Sequence, residues 1–176
     1  MKKLLCALFM ALPLLALEVG EKLPTLTLEG KDGARADGEP WSSESLRGKV
    51  FVIFYVDPDK KDLNEEFVER LKSEEFDRRY YGSAAIANLE ATWMPNFAIE
   101  AALKSKQKKY PDTIYVKDRV KKGVKVWGVA DDDANFIVLG PQGKVLYFSS
   151  GKIPKESYEK IVDLIHTEID RLSNRR

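Results

Sequence analysis

Val50-Phe51-Val52-Ile53-Phe54-Tyr55-Val56 is the stretch on which the fold turns. Seven consecutive apolar, β-branched and aromatic residues without alternation predict a strand buried on both faces, as at the centre of a parallel sheet. Pro58 stops it, and residues 62–72 place Leu63, Phe67, Val68 and Leu71 at helical spacing behind Asp62 as N-cap. Downstream the order recurs. Residues 83–89 read as strand, residues 96–108 as a helix carrying Phe97, Ile99, Ala102 and Leu103, and residues 113–116 as strand. Upstream, residues 25–28 read as a short strand and the glycine-rich residues 30–40 as a loop.

Toward the end the alternation breaks. Residues 135–139 and 144–148 are apolar runs joined by Gly140-Pro141-Gln142-Gly143, which has the chemistry of a hairpin turn, so these two strands are expected to be antiparallel. Residues 154–172 then set Tyr158, Ile161, Val162, Ile165, Ile169 and Leu172 along one side of a closing amphipathic helix. A doubly wound fold would want another crossover helix where the hairpin sits. The order therefore predicts an α/β thioredoxin-like fold, with a central mixed sheet flanked by helices and a C-terminal hairpin and helix.

The chain has 176 residues, 44% apolar and 32% charged, with 29 basic and 28 acidic side chains and a formal net charge of +1. This is the composition of a globular domain, and it supplies no global attraction toward nucleic acid or an anionic membrane. Lys104, Lys106, Lys108 and Lys109 end one helix without interleaved aromatics, which fits a solvated face and the helix dipole. Lys2 and Lys3 precede an uncharged apolar run from Leu4 to Leu17, the pattern of a cleavable secretory leader ending near residue 16 and too short for a comfortable membrane span. Residues 17–176 are then expected to form one exported, periplasmic domain with no stable membrane anchor.

Gly20-Glu21-Lys22-Leu23-Pro24, Trp41-Ser42 and Leu46-Arg47-Gly48-Lys49-Val50 resemble the opening of secreted thioredoxin-like and peroxiredoxin-like domains. More closely, Tyr110-Pro111, Val126-Trp127, the acidic turn Asp131-Asp132-Asp133 and Gly143-Lys144-Val145 resemble the YtfJ family of small exported bacterial proteins. The resemblance runs through nearly the whole mature chain. It implies a thioredoxin-like fold and export, and it implies no particular activity.

A thioredoxin-like redox site needs Cys-x-x-Cys after the central strand, where a helix N-terminus lowers a thiol pKa. Here that loop reads Asp57-Pro58-Asp59-Lys60-Lys61-Asp62, and the one cysteine, Cys6, lies in the leader. The cis-proline of such sites is also replaced, because the matching stretch is Asp133-Ala134-Asn135. Thiol-disulfide chemistry is thus not expected of the mature chain. Two acidic loops stand where that chemistry would be, and Asp57, Asp59 and Asp62 with Asp131, Asp132 and Asp133 are candidate oxygen ligands for Ca²⁺ or Mg²⁺. The competing reading makes them turn and cap residues. Asp57-Pro58-Asp59 after an apolar strand also suggests, as an alternative function, a divalent-cation-dependent hydrolase.

Trp93-Met94-Pro95-Asn96 follows a strand in a connection expected to be exposed, which makes Trp93 and Met94 candidates, with Phe97 and Lys60, for contacting a protein or peptide of the cell envelope, the competing reading being core or staple packing at a helix start. His166, the lone histidine, lies within the closing helix and is expected to pack at the surface or boundary. The favoured expectation is a redox-inactive binding or accessory module.

Overall fold

A computed structural model describes residues 17–175. The leader and its expected cleavage position lie outside the described residues. The elements are β1 (Thr27–Leu28), β2 (Gly33–Arg35), β3 (Trp41–Ser42), β4 (Val50–Val56), α1 (Glu65–Ser73), β5 (Tyr81–Asn88), α2 (Asn96–Lys109), β6 (Thr113–Asp118), α3 (Lys122–Trp127), β7 (Ala134–Leu139), β8 (Val145–Ser150) and α4 (Tyr158–Ser173). Six strands form one sheet in the order β2-β6-β5-β4-β7-β8, while β1 and β3 pair separately. Parallel pairing joins β4 to β5 and β5 to β6, and antiparallel pairing joins β4 to β7 and β7 to β8. The mixed thioredoxin-like sheet and its terminal hairpin and helix are therefore as expected.

Alternation along β4 sends its side chains to two cores. Val50 and Val52 join Phe67 and Leu71 of α1 and Ile161, Ile165 and Ile169 of α4 on one face. On the same face α2 contributes Ile99 and Leu103 against Tyr115. Phe51, Ile53 and Tyr55 face the opposite way, onto Trp127 of α3 and onto Leu28 and Trp41 of the β1–β3 ribbon. Phe136 is sealed within the first core, its ring centroid 5.1 Å from that of Phe67 and 4.9 Å from that of Phe54.

The structure departs from the sequence expectation in several places. Residues 33–35, read as loop, pair antiparallel with β6 and make the sheet edge. The strand read at 25–28 shortens to β1, and α3 is an added helix. The helix read from Asp62 begins at Glu65, because Asn64 is committed elsewhere: its Nδ2 donates to Gly151 O at 3.0 Å and its Oδ1 accepts from Ile153 N at 2.9 Å. Asp62 instead forms an exposed ion pair with its neighbour Lys61.

Candidate functional site at the carboxyl edge of the sheet

The carboxyl ends of β4, β5 and β6 meet the start of β7 along one edge, with Val56 opposite both Ala87 and Ala134, and Asn88 opposite Asp118. In sheets of this kind ligands bind at that edge. The two acidic loops do lie side by side, since Asp57 N donates to Asp133 O at 2.9 Å. Their carboxylates do not gather. Asp57 is only 4% exposed and its Oδ1 accepts from Asp59 N at 2.8 Å. Asp59 accepts from Thr92 Oγ1 at 2.9 Å, and Asp133 accepts from Ala134 N at 2.8 Å. Asp131 accepts from Asn88 Nδ2 and from Lys121 Nζ, both at 2.8 Å, and the lysine hydrogen bond holds its carboxyl below the usual range. Asp132 is exposed in left-handed backbone.

This corrects the expectation of six converging ligands. Among the described residues no three acidic, histidine or cysteine side chains are grouped so as to hold a metal ion. Asp57 and Asp133 are spent on their own turns, while Asp59 is taken by Thr92, Asp62 by Lys61 and Asp131 by Asn88 and Lys121. Nor is Asp57 presented as a nucleophile, being buried and tied to the Asp59 amide.

Burial pushes the Asp57 carboxyl above its ordinary pKa. The folded state thus binds this proton more tightly than the unfolded chain, so stability declines as pH rises through the unfolded value toward the folded one. Asp57→Asn keeps an acceptor for the Asp59 amide and carries no charge. It is expected to raise Tm at pH 7, with the gain shrinking as the pH falls through the folded value and gone below the unfolded one; differential scanning calorimetry across that range checks this.

Asn135 stands next to the position of the missing cis-proline and is fully buried. Its Oδ1 accepts from Ala130 N at 3.0 Å and Ser150 Oγ at 2.6 Å, while its Nδ2 donates to Ala130 O at 2.8 Å. It braces the 131–133 loop with an amide side chain, and among the described residues every peptide bond is trans.

Asp118, which sequence reading missed, is the buried hub of this edge. Its carboxylate accepts from Tyr55 Oη at 3.0 Å and from the amides of Val120, Lys122 and Gly123 at 3.1, 3.0 and 2.7 Å. It thereby satisfies the free donors at the start of α3. Burial, followed by the Asp118 charge, pushes the Tyr55 hydroxyl far above its ordinary pKa and keeps it a donor. Gly123 is needed at this contact, for a Cβ there would lie 2.3 Å from the Tyr55 ring. The signal available in the sequence was an Asp a few residues before Lys122-Gly123, a helix-start pattern hidden because the helix is so short.

The predicted partner-facing residues are on the surface. Trp93 is 88%, Phe97 78% and Met94 36% exposed, and Lys60 is exposed as well. Thr92 joins them to the Asp57–Lys61 loop, donating from its hydroxyl to Asp59 and accepting from Met94 N at 3.1 Å. His166 is half-exposed, sets its ring tilted against Phe76 with centroids 4.8 Å apart and contacts Glu74, the boundary packing expected of it. A shallow hollow of about 160 Å³ lies at the far end, between Pro141 and Gln142 and the residues Glu168, Arg171, Leu172 and Arg175. No described helix is long and apolar enough to cross a membrane.

A family of bacterial proteins of unknown function, YtfJ_HI0045, matches the chain over residues 25–168. No curated protein sequence matches. Among solved structures, a protein designated thiol:disulfide interchange protein DsbE from Chlorobium tepidum superposes with a TM-score of 0.63 at 16% identity, covering 88% of this chain and 99% of that one. The thioredoxin domain of a thiol-disulfide oxidoreductase from Bacteroides vulgatus gives 0.61 at 15% identity, covering 85% and 99%. A protein designated a thioredoxin from Neisseria meningitidis gives 0.59 at 17%, covering 88% and 97%. At these identities the likeness shows a shared thioredoxin-like fold.

Proposed function

The chain belongs to the YtfJ_HI0045 family of bacterial proteins of unknown function, and we propose that this member is an exported, redox-inactive binding module of the cell envelope. The observation that carries the reading is the exposure of Trp93 and Phe97 beside the loop that closes the central strand. Large aromatics left in water at a functional edge are the signature of an interface anchor. The redox arm of the reading rests on chemistry: the segment after β4 has no cysteine, and the only sulfur in the described residues is Met94. Export to the periplasm rests on the leader pattern.

Photocrosslinking in intact cells from a reactive residue at Trp93, and separately at Lys60, tests this reading. Reproducible capture of a protein at either position is expected. No capture from either, together with Mg²⁺-dependent and Asp57-dependent hydrolysis of a generic phosphate ester by the purified chain, would replace the module with the hydrolase.

A further inference from the structure

Ile99 and Leu103 of α2 pack inward in the ordinary way, but Glu100 and Phe97 of the same helix do the opposite of what their chemistry suggests. Glu100, the only acidic residue of the helix, points at the sheet, where its carboxylate meets Lys117 Nζ at 3.1 Å and Arg119 Nη2 at 2.6 Å. Lys117 is itself buried. Phe97, Ala101 and Ala102 meanwhile face solvent, with Trp93 exposed just before the helix. A charge placed inward and aromatics placed outward is the reverse of what solvation alone selects.

The face is also polar along its length. The aromatic end adjoins the exposed carboxylates of Asp59, which accepts from Thr92, and of Glu90 and Asp132 around Lys121, which is itself committed to Asp131. The other end carries Lys104, Lys106, Lys108 and Lys109. Such a surface is a poor match to a uniformly anionic lipid surface, which the carboxylate end would repel. It matches a copy of itself turned end over end. Ala101 is equidistant in sequence from Phe97 and Ser105 and from Trp93 and Lys109. With Ala101 on a two-fold axis, each lysine end therefore lies over the partner's aromatic and acidic end, and the alanines permit close approach.

We infer that α2 is a self-association surface, on which a second copy of this chain docks antiparallel about a two-fold axis at Ala101. The inference rests on the reading of this face as a protein-binding surface and names its occupant. Helix axes about 8–10 Å apart, less two Cα radii of about 2.3 Å, bring the two Ala101 Cα atoms within disulfide range.

The test uses the chain purified from the cell envelope with Cys6→Ser, so that an introduced cysteine is the sole thiol. Sedimentation should give about twice the monomer mass, and Phe97→Glu, or Lys104→Glu with Lys108→Glu, should return the monomer while leaving circular dichroism and Tm near wild type. Under mild oxidation Ala101→Cys should crosslink at least ~10-fold faster than Lys160→Cys on the exposed side of α4. A monomeric wild-type mass, or equal crosslinking at the two positions, overturns the inference. If that happens while Trp93 captures a different protein in cells, the binding-module reading stands and only self-association falls; if nothing is captured, both fall.

Discussion

Asp118→Ala is expected to destabilise the domain by about 3–5 kcal/mol, because it strands four donors at once, two of them buried and two part-buried, rather than removing one contact. The Tyr55 hydroxyl and the amides of Val120, Lys122 and Gly123 all converge on that carboxylate. For a domain of this size the loss corresponds to a fall in Tm of roughly 10 °C or more. Tyr55→Phe deletes only one of the donors, keeps the ring against Trp127 at 6.1 Å, and should cost about 1 kcal/mol. In a double-mutant cycle the second substitution should then add little to the first. Chemical denaturation of the three variants decides it; a cost for Asp118→Ala below that of Tyr55→Phe would show the carboxylate to be dispensable. The consequence also reaches the surface, since Lys121, which neutralises Asp131, is positioned by the turn that Asp118 holds.

Gly33→Ala should cost about 2–4 kcal/mol, through a different cause. Gly33 has φ +151°, and a Cβ there would stand 2.1 Å from the backbone oxygen of Lys117, which cannot swing aside. The strand can escape only by leaving β6. Amide hydrogen exchange should therefore show protection lost first across residues 33–35 and 116–118, with β4 and β7 protected until global unfolding. Uniform loss of protection would mean that the edge and the core unfold as one unit.

These two sites mark where the sequence stopped being legible. The uninterrupted Val50–Val56 run, the Gly140–Gly143 turn and the apolar stripe of the last helix each carry a local pattern, and they sufficed for the fold. Residues 33–35 carry none, for Gly33-Ala34-Arg35 becomes a strand only because the edge of β6 is there to pair with it. α3, with the sequence Lys-Gly-Val-Lys-Val-Trp, is too short for helical periodicity and starts where Asp118 supplies an acceptor. The strand expected over residues 113–116 runs on through Lys117 and Asp118, whose charges find partners from α2 and the start of α3. At the edge, sequence reading placed the acidic loops together correctly. It could not see that Asp57, Asp59 and Asp133 would each turn to a nearby amide or hydroxyl, or that Asn88 and Lys121 would claim Asp131. The exposure of Trp93 was legible because it follows a strand end in a segment with Pro95 and Asn96, whereas Phe97 and Ala102, read with Ile99 and Leu103 as the apolar side of the helix, face solvent.

The unequal placement of the three tryptophans gives the native chain an optical channel of its own. Trp41 and Trp127 are sealed in the core, at 3% and 1% exposure, and the indole of Trp127 donates to Pro24 O. Their emission answers to unfolding and to little else. Trp93 alone sits in water, so acrylamide quenching and the red edge of the emission spectrum report on a single position at the carboxyl edge without any label. Whatever covers that edge, be it another copy or a foreign chain, must shift the emission to the blue and shield it from the quencher, which allows occupancy of the surface to be titrated in the unmodified protein.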